Sequence, residues 1–289
     1  MRFLVTGVTG QLGFDAAAEL ARRGHTVIPA GRPEFDLSVP GSAGNFVREA
    51  APDAVLHCAA CTAVDAAEDA PELCERVNAG ATREIAAACR ELGAKMLYVS
   101  TDYVFGGEGT QPHPVEEPPA PLNVYGRTKL AGEQAVRETL SRYFILRTSW
   151  VFGRHGKNFV KTMLRLAETR DEVSVVNDQW GAPTFTADLA PLLCDMLESE
   201  RFGIYHAANE GECTWAQFAA EIFALAGLPV RVRPVPSADY PTKARRPLNS
   251  RLDMSGLDRA GFSRLPHWRD ALKRFIAGEA PRPGAPQSA

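Results

Sequence analysis

Tyr125 and Lys129 stand four residues apart in the segment 123–129, whose sequence Asn-Val-Tyr-Gly-Arg-Thr-Lys has the features of a helix start. In a helix this spacing places both side chains on one face. A free tyrosine has a pKa near ~10, and a fixed ammonium close to it favours the phenolate and lowers that pKa. The pair could therefore protonate a carbonyl oxygen while hydride arrives at its carbon. Most isolated pairs of this kind are a surface tyrosine and a solvated lysine, so a catalytic role for this pair depends on the motifs in the rest of the chain.

Three glycines, Gly7, Gly10 and Gly13, follow an apolar run at residues 2–6 and precede a helical pattern at residues 14–23. A strand, a glycine-rich turn and a helix in this order are typical of a dinucleotide-binding unit. The first glycine permits a tight turn, and the second lets backbone N–H groups approach a pyrophosphate at the helix N-terminus. The third lets the helix pack closely on the strand. The spacing is G-x-x-G-x-x-G, and its position directly after a strand predicts a bound dinucleotide.

The end of the second predicted strand, residues 25–30, bears on the choice of cofactor. In such units an acidic residue there binds the ribose 2′-OH of NAD, whereas a nearby arginine accommodates the 2′-phosphate of NADP. This chain has Arg32 close behind the strand and no acid at the strand end. We therefore predict NADPH, with Arg32 at the 2′-phosphate. Two alternatives stay open: Arg32 could be a solvated loop residue, and Glu34 and Asp36 follow closely enough to allow NADH.

Two further predicted strands, residues 53–58 and 95–99, end in residues that suit a ligand. Ala59 and Ala60 follow the first strand, and small side chains at the carboxyl end of a strand leave room for a ligand that crosses the sheet edge. The second strand is followed by the polar residues Ser100, Thr101, Asp102 and Tyr103. Hydroxyl groups at the mouth of a buried strand are where a catalytic constellation would lie, although a simple Ser-Thr-Asp turn would have the same sequence.

Predicted strands and helices alternate up to about residue 150. This alternation predicts an α/β fold with a doubly wound, parallel, Rossmann-like sheet. We expect a dinucleotide-binding domain over residues 1–150 and a smaller C-terminal α/β substrate-binding lobe over residues 151–277, partly interleaved with the first. Residues 278–289 contain three prolines and no periodicity, and are expected to be a disordered tail. Residues 229–251 are rich in proline and arginine and form either a solvated loop or a diphosphate site.

Composition excludes several classes of function. The 289 residues carry a formal net charge of -3, which provides no electrostatic footprint for nucleic acid or an anionic membrane. No apolar run approaches the ~20 residues that span a bilayer. The six cysteines are scattered rather than framed as in a small secreted domain. Cys58 and Cys61 form a C-x-x-C pair, which could be a redox dithiol, but no second pair completes a zinc site. We expect a reduced, cytoplasmic protein.

Together these motifs resemble the extended short-chain dehydrogenase/reductase superfamily, in which the glycine turn, the Ser-Thr after the fourth strand and the Tyr-x-x-x-Lys pair occur in the same order. A closer resemblance is to the dTDP-4-dehydrorhamnose reductase family, and it extends to about residue 275. The segments that carry it are 6–13, 60–65, 100–105, 122–133, 147–151, 158–163, 175–184 and 246–252. Among these, Ser-Thr-Asp-Tyr-Val-Phe and Asn-Asp-Gln-x-Gly-Ala-Pro-Thr are specific to this branch.

The resemblance implies reduction of the C4 keto group of dTDP-4-dehydro-β-L-rhamnose to dTDP-L-rhamnose by hydride transfer from NADPH. Tyr125 would protonate the C4 oxygen, Lys129 would hold the nicotinamide ribose, and Thr101 would hydrogen-bond the substrate carbonyl. The expected cofactor contacts are Gly10, Gln11 and Leu12 at the pyrophosphate, Asp36 and Leu37 at the adenine, Ala59, Ala60 and Cys61 on the adenosine ribose side, and Gly7, Gly13, Arg32 and Ser100. The expected contacts of the sugar nucleotide, besides Thr101, are Asp102, Tyr103, Trp150, Arg246 and Asn249.

Three alternatives to this activity stay open. A sugar-nucleotide epimerase or dehydratase of the same superfamily would hold NAD tightly and oxidise its substrate first. Another nucleotide-deoxysugar 4-ketoreductase would share the motifs described above. The chain also resembles a non-catalytic, NADP-binding regulatory subunit of methionine adenosyltransferase, which can retain the same three residues.

The resemblance also bears on metals and assembly. Some relatives dimerise through a magnesium ion held by carboxylates, and Asp15 matches one such position, but the terminal segment has no clear partner carboxylate. We therefore predict no metal, and either a monomer or a homodimer. Cys61 stands where relatives commonly have a tyrosine or a histidine, so this one cofactor contact departs from the family pattern.

Overall fold

The computed structural model describes residues 1–32 and 35–278, and a parallel sheet lies at its centre. The strands in chain order are β1 (Arg2–Thr6), β2 (Thr26–Ala30), β3 (Ala54–His57), β4 (Lys95–Thr101), β5 (Tyr143–Thr148), β6 (Val151–Phe152), β7 (Glu172–Val176), β8 (Trp180–Gly181), β9 (Thr184–Phe185), β10 (Gly203–His206), β11 (Asn209–Glu210), β12 (Cys213–Thr214), β13 (Arg231–Val235) and β14 (Leu265–His267).

Six of these strands form the central sheet, in the order β10-β5-β4-β3-β1-β2. Every neighbouring pair is parallel. The register places Thr6 opposite His57 and Thr101 opposite Thr148, so the carboxyl ends of these strands lie along one edge. β10 extends the sheet with residues beyond position 150, while the division into a dinucleotide domain and a substrate lobe stays a prediction.

Helices connect the strands and cover both faces of the sheet. They are α1 (Gln11–Arg22), α2 (Ser42–Ala50), α3 (Val64–Ala67), α4 (Pro71–Glu75), α5 (Ala81–Leu92), α6 (Val124–Thr139), α7 (Phe159–Leu166), α8 (Thr186–Glu198), α9 (Trp215–Ala226), α10 (Ser255–Ala260) and α11 (Trp268–Ile276).

The two faces of the sheet bury separate apolar cores. On β1, Phe3 and Val5 pack in one core with residues of α1 and α8, whereas Leu4 packs in the other with residues of α2 and α5. Successive side chains of a strand point to opposite faces, which explains this division. Helices on both faces of a parallel sheet are the doubly wound arrangement that the alternation predicted.

A third core lies in the C-terminal half of the chain, where Phe152, Phe185, Phe218 and Trp268 are fully buried. It includes β13, which pairs in parallel with β7, although proline and arginine made this segment resemble a loop. These two strands form a sheet of their own, so Pro234 lies in an edge strand. Proline is tolerated there because an edge strand leaves one side of its backbone unpaired.

The helix expected across residues 71–92 is interrupted. α4 and α5 are separated by a π-helical turn over Arg76–Gly80, which contains Asn78. Asn78 is 1% exposed and hydrogen-bonds through its side chain to Cys61 and Thr128, which the turn brings within reach. Such turns are frequent at functional sites.

Three further expectations concern the C-terminal tail, membrane-spanning helices and a metal site. The expected tail lies outside the described residues except for Gly278, and Glu34 lies outside them as well. Within residues 1–32 and 35–278, no helix is long and apolar enough to cross a membrane. In the same ranges no three His, Cys, Asp or Glu side chains are grouped to hold a metal ion, and Asp15 accepts a hydrogen bond from Thr186.

A close approach at Gly132 seats α6 on the sheet. A Cβ added there would lie 2.3 Å from Tyr98 Oη and 2.5 Å from the Asn78 carbonyl oxygen. Gly132→Ala should therefore lower the free energy of unfolding by about 1–3 kcal/mol, because both neighbours are buried and cannot move aside freely. Urea denaturation measures this change.

Gly256→Ala is the matched control, since an added Cβ at this helical glycine meets nothing nearer than 3.8 Å. It should leave stability unchanged or raise it by up to about 1 kcal/mol. Equal effects of the two substitutions would contradict the packing argument.

Candidate active site

The first turn of α6 carries Tyr125 and is held by two side chains. Asn123 is the N-cap residue, and its Oδ1 accepts from the Gly126 N–H at 2.8 Å. The Val124 N–H donates to Glu68 Oε1 at 2.7 Å. These contacts satisfy N–H groups that a helix start leaves without partners, and they fix where Tyr125 stands.

Thr101, Tyr125 and Lys129 come together at the carboxyl end of β4. Thr101 is the last residue of that strand, and its side chain is within hydrogen-bonding reach of Tyr125. Lys129 is 2% exposed, and its Nζ donates to the Val99 carbonyl at 2.7 Å. The same Nζ lies 3.9 Å from the centre of the Tyr98 ring. Their role as catalytic residues stays a prediction, and the structure places them next to one another.

Burial shifts the pKa values of Tyr125 and Lys129 and so determines their protonation. It raises the pKa of Tyr125 above its usual value, against the opposing hydrogen bond from Thr101. It lowers the pKa of Lys129 to about 7, against the opposing charge of Glu133. The expectation that Lys129 lowers the pKa of Tyr125 is not met here, because the amine turns to the Val99 carbonyl and desolvation dominates. The phenol is therefore protonated at neutral pH and can donate a proton.

The glycine turn between β1 and α1 has the expected form. Gly7 has φ +69°, and the Gly10 N–H donates to the Gly7 carbonyl at 2.8 Å. A Cβ at Gly7 would lie 3.0 Å from the Ala59 nitrogen, and one at Gly13 would lie 2.3 Å from the Gly7 oxygen. Gly10 is the N-cap residue of α1 and provides no side-chain cap, so backbone N–H groups are left for a bound anion.

The two residues after Gly10 face different partners. Leu12 is buried in the core next to β1, so its backbone rather than its side chain is available to a ligand. Gln11 Oε1 accepts a hydrogen bond from Asn158 Nδ2 at 2.9 Å. This bond ties the turn to the start of α7.

The loop after β3 is held by a network that sequence reasoning missed. Ala59 N–H donates to Thr6 Oγ1 at 2.9 Å, and Thr6 Oγ1 lies 2.8 Å from His57 Nδ1. Cys61 N–H donates to Asn78 Oδ1 at 2.8 Å. The only available signal was a polar residue, Asn78, within an apolar helical pattern. The network fixes the backbone next to the glycine turn.

The cysteine pair is not a disulfide, since Cys58 and Cys61 are both free thiols. Burial raises the pKa of Cys58 well above its usual value, which disfavours a reactive thiolate. Cys61 instead packs in a small cluster with Cys74, Val124 and Tyr125.

The predicted adenosine end lies beyond β2. The Arg32 side chain is 74% exposed, and its Nε lies 3.5 Å from Asp36 Oδ2. Asp36 also accepts from the backbone and hydroxyl of Ser38, and these hydrogen bonds lower its pKa. Leu37 is 8% exposed and packs in the core. Arg32 is thus accessible to a ligand.

A cavity of about 1030 Å³ lies between the sheet edge and the C-terminal part of the chain. Its lining includes Tyr103, Arg246, Asp65, Phe159 and Trp215. Tyr103 stands edge-on to Tyr125 with 5.7 Å between ring centres, so its ring connects the cavity wall to the catalytic candidates. This volume suits a ligand of nucleotide-sugar size.

Of the expected sugar-nucleotide contacts, Tyr103 and Arg246 line this cavity. Arg246 is paired with Asp65, with Nη2 to Oδ2 at 2.7 Å and Nη1 to Oδ1 at 3.1 Å. Asn249 is engaged elsewhere, because it is 2% exposed and its Nδ2 donates to the Gln111 carbonyl at 2.8 Å. A direct diphosphate contact by Asn249 therefore does not fit its position.

The predicted contact Trp150 lies against a second tryptophan. Its ring stacks on Trp215 at 3.7 Å between ring centres, and Trp215 lines the cavity. Trp150 has φ +47°, which is strained for a bulky residue, and a Cβ at Gly181 would lie 2.7 Å from its ring. Sequence reasoning missed Trp215, which directly follows the N-cap Thr214 of α9.

Asp102 is a buried carboxyl beside the site. It is 3% exposed, and its Oδ1 accepts from Thr101 Oγ1 at 2.9 Å. Its Oδ2 has no hydrogen-bond partner within the described part of the chain. Burial raises the pKa of Asp102 to about 6, in spite of the nearby Ser250 and Thr101 hydroxyls.

Comparison with known proteins bears on this arrangement. The family model described as RmlD substrate binding domain matches residues 1–280. The chain belongs to this family. A curated relative from Sinorhizobium fredii (strain NBRC 101917 / NGR234), dTDP-4-dehydrorhamnose reductase, is 42% identical over 287 residues, which cover 96% of this chain and 97% of the relative. The dTDP-4-keto-6-deoxy-D-glucose reductase of Streptomyces niveus is 40% identical over 273 residues, which cover 94% of this chain and 95% of the relative.

A solved structure also matches this RmlD-family chain. The dTDP-4-dehydrorhamnose reductase of Bacillus anthracis str. Ames in complex with NADP is 40% identical to it, with a TM-score of 0.93. The match covers 96% of this chain and 99% of that structure. The predicted fold class and the resemblance to the dTDP-4-dehydrorhamnose reductase family are confirmed.

The buried carboxyl of Asp102 should make the stability of this RmlD-family protein depend on pH. Its pKa is raised in the folded state, so its contribution to stability is present below its ordinary pKa and is lost as pH rises through about 6. Between pH 5 and pH 8 the wild type should therefore lose about 1–2 kcal/mol of unfolding free energy relative to Asp102→Asn. Urea denaturation of both proteins at the two pH values measures the difference.

Asp171→Asn, which changes an exposed aspartate, serves as the control. A difference between wild type and Asp102→Asn that stays constant across this pH range would show that Asp102 is ionised in both states.

Proposed function

We propose that this protein reduces the C4 keto group of dTDP-4-dehydro-β-L-rhamnose to dTDP-L-rhamnose with hydride from NADPH. The observation that carries this proposal is the grouping of Thr101, Tyr125 and Lys129 at the carboxyl end of β4, with Tyr103 of the cavity wall in edge contact with Tyr125. Relatives that match nearly the full length and carry the name dTDP-4-dehydrorhamnose reductase support it.

The glycine turn suits a dinucleotide, because Gly10 leaves the N–H groups at the start of α1 without a side-chain cap, and Gly7 and Gly13 permit the close backbone packing of the turn. Lys129 uses one of its three donors on the Val99 carbonyl, and the others can bind the nicotinamide ribose hydroxyls. Bound NADPH supplies the hydride. The Bacillus anthracis structure in complex with NADP supports this choice of cofactor.

Tyr125 donates the proton that the reaction requires. Hydride adds to C4, the electrons of the carbonyl double bond move to its oxygen, and the Tyr125 hydroxyl transfers its proton to that oxygen. The raised pKa of Tyr125 keeps the proton in place until then. Thr101 would turn its hydroxyl from Asp102 Oδ1 to the oxygen as negative charge develops there. One crevice for both reactants supplies proximity and orientation.

The sugar nucleotide occupies the cavity in this proposal. Arg246 presents a guanidinium to the cavity, and its planar donors match the oxygens of a diphosphate. Binding would require Arg246 to share or release its pairing with Asp65. Tyr103 lies beside both Arg246 and Tyr125, so a sugar nucleotide whose diphosphate binds Arg246 would extend its keto sugar past Tyr103 towards Tyr125.

A second candidate is reduction of another nucleotide-linked 4-keto sugar. It is favoured by the similarity of the chain to the Streptomyces niveus protein named dTDP-4-keto-6-deoxy-D-glucose reductase. The two reactions share a cofactor and a proton donor, and they differ in the configuration of the sugar.

We further propose that the protein is a monomer or a homodimer and that it is cytoplasmic. The free thiols of all six cysteines agree with a reducing compartment.

The direct test is NADPH oxidation followed at 340 nm with dTDP-4-dehydro-L-rhamnose generated in situ and a blank without substrate. Oxidation that depends on the substrate and yields dTDP-L-rhamnose is the expected result. Turnover only with a different 4-keto sugar would support the second candidate. Cofactor binding without turnover of any keto sugar would favour a regulatory subunit, and tightly bound NAD in the purified protein would favour an epimerase or dehydratase.

In the same assay, Tyr125→Phe should lower kcat by about 10²–10⁴-fold, because the proton donor is lost while the ring and its packing remain. NADPH binding, measured by fluorescence titration, should change little. Tyr143→Phe, at a tyrosine on β5 away from the cavity, is the matched control. Activity of Tyr125→Phe close to that of the wild type would refute the assignment of the acid.

Arg32 can be tested through the choice between the two cofactors. Arg32→Ala should weaken NADPH binding by about tenfold and leave NADH binding nearly unchanged, because only NADPH carries the 2′-phosphate that a charge-assisted hydrogen bond would hold. Arg90→Ala, at an exposed arginine on α5, is the control. An equal loss for both cofactors would place Arg32 away from the phosphate.

A further inference from the structure

Glu133 lies one helical turn beyond Lys129 on α6 and is 1% exposed. Its Oε1 accepts from Ser100 Oγ at 2.5 Å and from Arg147 Nε at 2.9 Å. Its Oε2 accepts from Arg147 Nη2 at 2.7 Å. Arg147 is itself 2% exposed. A buried ion pair thus joins α6 to β4 and β5 directly behind Lys129.

Stability alone gives no strong reason for such a pair. Taking two charges out of water is costly, and replacing a buried pair by apolar side chains often leaves stability unchanged or raises it. The same core accommodates apolar contacts at this depth, since Val136, on the next turn of α6, is fully buried. The charged residue at position 133 therefore indicates a role other than packing.

The neighbours of Lys129 show what that effect is. The titratable groups around its side chain are His57 and Cys58 at the end of β3, Cys74 on α4, Tyr98 on β4, Tyr125 one turn earlier on α6, and Glu133 one turn later. Burial keeps the first five of these uncharged at neutral pH: it lowers the pKa of the histidine to about 3 and raises the pKa of the thiols and the phenols.

Glu133 is therefore the negative charge among these groups, and its effect on Lys129 opposes that of burial. Arg147 and Ser100 hold the carboxylate by three hydrogen bonds, so its distance from Lys129 does not vary with side-chain rotation. Arg147 also donates to the Val115 carbonyl and is fixed in turn.

We propose that Glu133 is a positioning residue that acts through Lys129: held by Arg147 and Ser100, its carboxylate keeps the buried Lys129 side chain charged for binding the cofactor. The inference rests on the proposed function only in that Lys129 contacts NADPH. It assigns to the ion pair an electrostatic role in cofactor binding in addition to its contacts between α6 and the sheet.

The test is the pH dependence of the NADPH dissociation constant, measured by fluorescence titration of Glu133→Gln between pH 5.5 and pH 9. Wild-type affinity should fall as pH rises and Lys129 loses its proton. In the variant this fall should begin about one pH unit lower, which weakens affinity about fivefold at pH 7 and about tenfold at pH 9, with little change at the acidic end. Glu138→Gln, at an exposed glutamate on the same helix, should leave the profile unchanged.

Glu133→Gln leaves Arg147 buried without its partner and could fail to fold, so the double variant Glu133→Gln/Arg147→Met is measured as well. It should show the same shift of the pH profile. A wild-type profile in a folded variant, an equal loss of affinity at every pH, or failure of both variants to fold would assign the pair to structure alone and overturn the proposal. The binding assay contains no keto sugar, so a failure of the proposed reaction would be seen separately, in the turnover assay.

Discussion

A lysine ammonium is buried beneath the first turns of α6, where Lys129 donates to the Val99 carbonyl and lies over the Tyr98 ring. Desolvation works against this charge, and the arrangement persists because α6 is fixed against the sheet. The missing Cβ of Gly132 allows the helix to approach Tyr98, and Glu133 is bound to Arg147 on β5. The positions of Tyr125 and Lys129 follow from this seating of one helix.

The site combines a rigid part with a part formed by loops. Thr101 and the glycine turn lie on strand ends of the central sheet, where the register fixes their separation. The cavity wall opposite them comes from the segment that contains Arg246, and Asp65 and Asn123 connect this segment to the cofactor side. Asn123 both caps the helix of Tyr125 and donates to the Arg245 carbonyl. The two halves of the site are therefore coupled through the start of α6.

Local sequence patterns were sufficient to predict most helices and strands, but not the positions of several side chains. The alternation of strands and helices predicted the parallel sheet, and the glycine spacing predicted the turn at Gly7, because both depend on backbone geometry near each residue. The strand at Arg231–Val235 was missed since its pairing with β7 is a long-range contact. The π-helical turn at Asn78 was missed for the same reason: its side chain bonds to Cys61 and Thr128, which are distant in sequence.

The sequence by itself determined the fold class, the candidate residues Thr101, Tyr125 and Lys129, and the family, because periodicity, glycine positions and motif order are properties of the chain. Only the tertiary structure decided the protonation of the site and the wall of the cavity. Burial raises the pKa of Tyr125, although the neighbouring lysine alone would lower it. Packing turns Trp150 onto Trp215 and buries Asn249 among backbone carbonyls. Desolvation and long-range contacts arise only when distant segments meet, so no local pattern could reveal them.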